Sequence, residues 1–117
     1  DRASLAALDA AWRATGGALR RVEALRRDLA KDPLLPADLK GIDAAVLDPP
    51  RAGARAQAQA LADSGVARVA MVSCWPESFA RDAAILAEAG FRPLWLRPVD
   101  QFRWSAHVEL AAAFARD

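Results

Sequence analysis

The chain has 117 residues, 54% of them hydrophobic and 26% charged, and sixteen basic against fifteen acidic side chains leave a net charge of +1. That composition belongs to a folded globular domain and excludes the disordered, collagen-like and disulfide-stapled classes, while the near-neutral charge provides no bulk attraction to nucleic acid or a membrane surface. A single cysteine, Cys74, rules out an internal disulfide and any multi-cysteine metal or iron–sulfur site built from this chain alone. No apolar run approaches the roughly 18 residues of a membrane span, and the first residues are amphipathic rather than a signal peptide, so no membrane partner and a cytoplasmic location are expected. Asp1 stands inside a helical run without an initiator Met, so the chain reads as a piece of a longer protein.

Leu5, Leu8 and Trp12 recur at spacings of three and four and predict a helix that Gly16-Gly17 ends. Residues 19–25, with Val22, read as a strand entering a connection punctuated by Pro33 and Pro36. Residues 44–47 read as a buried strand stopped at Asp48-Pro49-Pro50, where two prolines remove backbone donors. A helix over 54–64 closed by Gly65, a strand over 68–73 and a helix over 78–89 capped by Gly90 follow, the last with a stripe of Phe79, Ala83 and Leu86. Residues 91–99 read as a strand, and Val108, Leu110, Ala112 and Phe114 alternate in a final one. Helices alternating with short apolar strands predict an α/β fold with a mostly parallel sheet covered on both faces, plus a terminal antiparallel hairpin through residues 100–106. Trp12, Trp95 and Phe114 are expected in the core.

In such sheets chemistry collects at the carboxyl ends of strands, where Asp48 and Cys74 sit. Taken singly, each candidate has a structural explanation. A cysteine in an apolar strand is usually an inert thiol, an acid at a strand start such as Glu109 is usually solvated, and Asp48 before two prolines can be a turn-former. Arg20, Arg21, Arg26, Arg27 and Lys31 form a basic stretch that reads as a solvated face, although it has the charge to touch phosphate.

Three ordered segments change that weighting: Asp48-Pro49-Pro50-Arg51-Ala52-Gly53, then Ser73-Cys74-Trp75-Pro76 with Ala80-Arg81-Asp82, then Asp100-Gln101-Phe102 with His107-Val108-Glu109. Together they resemble the RNA uracil-C5 methyltransferases that make 5-methyluridine in ribosomal and transfer RNA, and the likeness covers nearly the whole chain. The resemblance implies a Rossmann-like class I methyltransferase sheet, of which residues 1–117 would be the C-terminal part. It also implies S-adenosyl-L-methionine as cofactor and RNA as partner, ribosomal RNA being favoured over transfer RNA. It implies Cys74 as the nucleophile on uracil C6 and Glu109 as the base at C5, a pairing that suits a carbon unreactive until a thiolate adds next to it. Asp48 and Asp28 would contact the cofactor, and Arg51, Trp75 and His107 the substrate.

The sequence departs from the family in two places. Trp75 replaces the usual Asn after Ser-Cys, and either stacking on a flipped base or packing would suit it. Arg103-Trp104-Ser105-Ala106 stands where many members have a proline and a threonine. No Gly-x-Gly turn follows a strand, so the fragment alone is expected to bind cofactor weakly and be inactive, and its open sheet edges to favour self-association. Two other functions compete: a thiol hydrolase built on Cys74, His107 and Asp100, and a noncatalytic RNA-binding or dimerisation domain that keeps the methyltransferase shape.

Overall fold

A computed structural model describes residues 2–117, so Asp1 lies outside the described residues. Three helices, α1 (Arg2–Ala14), α2 (Arg55–Ala62) and α3 (Pro76–Glu88), combine with four strands, β1 (Ala44–Leu47), β2 (Arg68–Ser73), β3 (Arg92–Val99) and β4 (Glu109–Ala115). The strands form one sheet in the order β1-β2-β4-β3. The fold is α/β, with the expected antiparallel β3–β4 hairpin at one edge. The expected mostly parallel sheet is found only at β1–β2, because β4 inserts between β2 and β3 and runs antiparallel to both.

One face of the sheet carries the core. Val69, Met71 and Ser73 of β2 alternate inward, and the register sets Ala112 of β4 against Met71 and Phe114 against Val69. Leu61 of α2 and Phe79 and Leu86 of α3 close over them, with the Phe79 and Phe114 rings 6.4 Å apart and tilted by 40°. The opposite face is not covered as expected. Val46 is 75% exposed, and Val72, Trp95 and Val99 are exposed as well, so β1 is an edge strand with only Leu47 buried. Trp95 therefore leaves the predicted core, since β3 is exposed along its whole length and carries Pro93 and Pro98, residues an edge strand tolerates because they lack a ladder donor.

The N-terminal third departs further. Gly16 and Gly17 take left-handed φ values of 60° and 90° and end α1 as expected, yet no residue of α1 is buried. Trp12 is half-buried and donates from its indole N–H to the Arg20 carbonyl at 2.9 Å, which ties the helix to the segment after it. Residues 19–25 are not a strand. Val22 and Ala24 alternate inward between exposed neighbours, but no described strand lies alongside to complete a ladder. Arg27 is bonded to Asp32 and Asp38, which raise its pKa above the ordinary value, the Asp32 hydrogen bond most. Most of the basic stretch is accordingly a solvated, partly self-paired face. The radius of gyration of 15.4 Å, against about 13 Å for a compact chain of similar length, reflects this loosely packed region.

Two polar ties hold loops to the core. The buried Gln57 side chain donates to the Leu34 carbonyl and accepts from the Leu34 N–H, pinning the proline-rich connection onto α2. Arg116 donates to the carbonyls of Leu61, Ala62, Ser64, Val66 and Ala89 while its guanidinium lies 4.4 Å from the Phe91 ring centroid. These carbonyls include the last turn of α2 and the cap of α3, where a cation also meets the negative helix ends. Arg116→Ala is expected to lower the unfolding free energy by about 2–4 kcal/mol in urea denaturation. Arg116→Lys should restore only part of it, because one ammonium cannot span those acceptors.

Candidate active site

Parallel pairing puts the ends of β1 and β2 on one side of the sheet, and antiparallel pairing brings the start of β4 to the same end. Ser73 pairs with Leu110, so continuing that register by one residue sets Cys74 opposite Glu109. Both are partly buried. Glu109, as the first residue of β4, alternates away from the helix-covered face to which Leu110 and Ala112 contribute.

The first motif forms a loop whose shape is imposed from α3. The Gly53 N–H donates to the Pro50 carbonyl at 2.8 Å, closing a turn over Pro50-Arg51-Ala52-Gly53. Gly53 has a φ of 79°, and a Cβ there would lie 2.9 Å from the Ser78 Cβ and collide with Arg81 and Asp82. Only glycine accepts both the conformation and the approach. The fully buried Asp82 carboxylate accepts from the Ala54 N–H at 2.6 Å and from Arg81 at 2.7 and 2.9 Å, and Arg81 in turn donates to the Ala52 carbonyl at 2.9 Å. Ala80-Arg81-Asp82 is thus a clamp on the Asp48–Gly53 loop, a role that reading the sequence motif by itself did not reveal.

The second motif turns directly from β2 into α3. The Ser73 hydroxyl accepts from the Trp75 N–H and donates to the Trp75 carbonyl, both at 3.2 Å, and Pro76 opens α3, where its missing N–H costs nothing. The Trp75 ring then links all three motifs. The Arg51 guanidinium carbon lies 5.5 Å from its centroid, and the His107 ring 5.9 Å away at a 42° tilt. These two contacts make it a brace between the Asp48–Gly53 loop and the start of β4.

Asp28 and Asp48 face a common cleft of about 800 Å³, a volume suited to a nucleotide-sized ligand. Leu29, Val46, Pro49 and Pro50 supply apolar walls, and Asp28 is shaped by a turn in which its carboxylate accepts the Ala30 N–H at 3.2 Å. Cys74, Trp75, His107 and Glu109 lie outside that lining and form a second cluster, with Arg51 on the loop between the two. The hydrolase triad is not assembled: among the described residues no hydrogen bond joins Cys74 to His107 or His107 to Asp100. Among the described residues no group of three potential ligands gathers to hold a metal ion. No described helix is long and apolar enough to cross a membrane.

No protein-family model matches the chain. Curated proteins do. An uncharacterized RNA methyltransferase of Rhizobium meliloti is 49% identical over 116 residues, 99% of this chain and 28% of the relative, and one of Agrobacterium fabrum is 50% identical over 113 residues, 97% and 27% respectively. The 23S rRNA (uracil(1939)-C(5))-methyltransferase RlmD of Chromohalobacter salexigens is 40% identical over 99 residues, 85% of this chain and 20% of that one. Among solved structures, the Pyrococcus abyssi tRNA (uracil-54, C5)-methyltransferase in complex with S-adenosyl-L-homocysteine superposes with a TM-score of 0.58 at 36% identity, over 66% of this chain and 19% of that one. The sheet is accordingly a methyltransferase sheet of Rossmann-like class. The chain belongs to the RNA methyltransferase family, with uracil-C5 enzymes among its relatives, and spans little more than a quarter of the length of the Rhizobium and Agrobacterium relatives.

Asp82→Ala is expected to cost about 1–3 kcal/mol, since it leaves the Ala54 N–H without a partner and unties the solvent-exposed Arg81 from α3. Gly53→Ala should open the loop instead. Comparison of amide hydrogen exchange at residues 52–54 in the two variants checks both, and unchanged protection in Gly53→Ala would contradict the clamp.

Proposed function

We propose that the chain is the C-terminal part of an S-adenosyl-L-methionine-dependent methyltransferase domain that methylates C5 of uridine in RNA, ribosomal RNA being favoured over transfer RNA. The observation that carries this reading is the register that sets Cys74 opposite Glu109, beside a cleft holding Asp28 and Asp48. The uracil-C5 methyltransferases among the relatives support the choice of base, and the ribosomal enzyme RlmD supports the choice of RNA.

In this reading the cleft fits the cofactor: apolar walls suit an adenine face, and Asp28 and Asp48 offer acceptors for hydroxyl or amino groups. The bound cofactor supplies the methyl group. Cys74 Sγ, as thiolate, forms a bond to uracil C6, and the electron pair of the C5–C6 double bond moves toward O4, making C5 nucleophilic. After C5 has been methylated, Glu109 removes the C5 proton, the double bond re-forms, and the Sγ–C6 bond breaks to release the thiolate. Arg51 meets phosphate or steadies the loop, His107 holds the start of β4, and Trp75 braces both.

Because no Gly-x-Gly turn follows a strand in this sequence, the 117-residue chain alone binds cofactor weakly and transfers no methyl group. The unpaired outer edge of β1 supports its self-association in isolation, and light scattering showing only monomer refutes that. The mechanism is tested in the complete gene product that carries this sequence. With cofactor, RNA containing 5-fluorouridine is expected to remain bonded to wild-type protein, because the C5 proton is missing. Cys74→Ala should form no adduct. Glu109→Gln should accumulate an adduct with ordinary uridine RNA, visible as a band of reduced mobility in denaturing gels. Adduct formation by Cys74→Ala would sink the assignment.

A further inference from the structure

Residues 100–108 leave the sheet at the end of β3 and return at β4, and their tip carries the most exposed large side chain in the described protein. Trp104 is 102% exposed, as accessible as in an isolated peptide, and makes no hydrogen bond or ring contact with any described residue. The Ser105 N–H donates to the Phe102 carbonyl at 3.2 Å, closing a turn in which Trp104 is the third residue with a φ of 63°. Glycine or asparagine is the ordinary choice at such a position, so neither backbone preference nor burial accounts for an indole there.

The tip is also joined to the candidate site. The His107 N–H donates to the Ser105 hydroxyl at 3.1 Å, the His107 ring lies 5.9 Å from that of Trp75, and Trp75 follows Cys74. Arg103 stands next to the indole and forms no ion pair with a described residue, leaving its guanidinium available to an outside anion. The exposed Phe102 stands in the same turn, so the tip presents two aromatic rings with one guanidinium among otherwise polar neighbours, Gln101 and Ser105. An indole beside a guanidinium matches a nucleotide: the ring offers a face to a base and the cation meets the phosphate.

We infer that Arg103 and Trp104 form an RNA-binding finger, with Trp104 stacking on an unpaired nucleobase next to the nucleotide that enters the site and Arg103 contacting its phosphate. This rests on the reading of the chain as part of an RNA methyltransferase. Stacking is tolerant of base identity, so the finger contributes affinity and strand placement more than sequence choice.

The test uses the complete gene product and a short fluorescein-labelled oligouridylate, with affinity read by anisotropy. Trp104→Gly removes the ring and relieves the left-handed backbone, so loss of fold does not confound it; it is expected to weaken binding about ten-fold, and Trp104→Phe by no more than about three-fold. Arg103→Ala should weaken binding and flatten its salt dependence. Oligouridylate affinity unchanged in Trp104→Gly overturns the finger, and so does a Trp104→Gly variant that keeps this affinity but loses a protein complex on size exclusion. Trapping with 5-fluorouridine RNA scores the functional reading separately. An adduct in wild type together with unaltered Trp104→Gly affinity overturns the finger alone, while no adduct in wild type overturns the reading beneath it.

Discussion

The strand β4 is the member on which the rest of this architecture depends. It is hydrogen-bonded on both sides, to β2 and to β3, and its register with each is continuous over most of its length. A slip of one residue would turn Ala112 and Phe114 out of the core and carry Glu109 to the other face. The same pairing that buries the hydrophobic residues therefore fixes which acid stands across from Cys74. Stability and site geometry are set by one ladder, and the residues that deliver them alternate along it.

Around that ladder the two ends of the sheet are fastened differently. At the far end Arg116 gathers carbonyls from the close of α2, the following turn and the cap of α3, satisfying acceptors that a helix terminus leaves open. At the site end the buried Asp82 holds the Asp48–Gly53 loop through its backbone, so the loop owes its shape to a neighbouring helix rather than to its own side chains. Trp75 joins that loop to the start of β4 through Arg51 and His107. Rigid backbone contacts of this kind keep reactive groups in place better than exposed loops do.

Much of this was legible in the sequence. Alternation over Leu110, Ala112 and Phe114, glycines at 16, 17 and 90, and the double proline at 49 and 50 specify their elements locally, and local signals survive folding. What failed required knowledge of neighbours. Residues 19–25 alternate like a strand, but a strand exists only with a partner, and none of the described ones is adjacent. The continuous apolar stretch at 44–47 suggested burial on both faces and Trp95 was expected in the core, yet β1 is an edge strand with only Leu47 buried and β3 is exposed along its whole length. The candidate site residues stood out as ordered motifs. The clamp by Asp82 and the tie by Arg116 were not, because each joins backbone atoms far apart in the chain and backbone acceptors leave no mark on residue identity.

The close fit of Gly53 against α3 has a consequence for how this sequence can change. The space a side chain at 53 would need is filled by Ser78, Arg81 and Asp82, and the amide that Asp82 accepts belongs to Ala54. Neither partner can be exchanged while the other stays as it is. A lineage drifting away from glycine at this turn would first have to rebuild one surface of a helix nearly thirty residues downstream, so the two segments form a single inherited unit despite their separation in the gene.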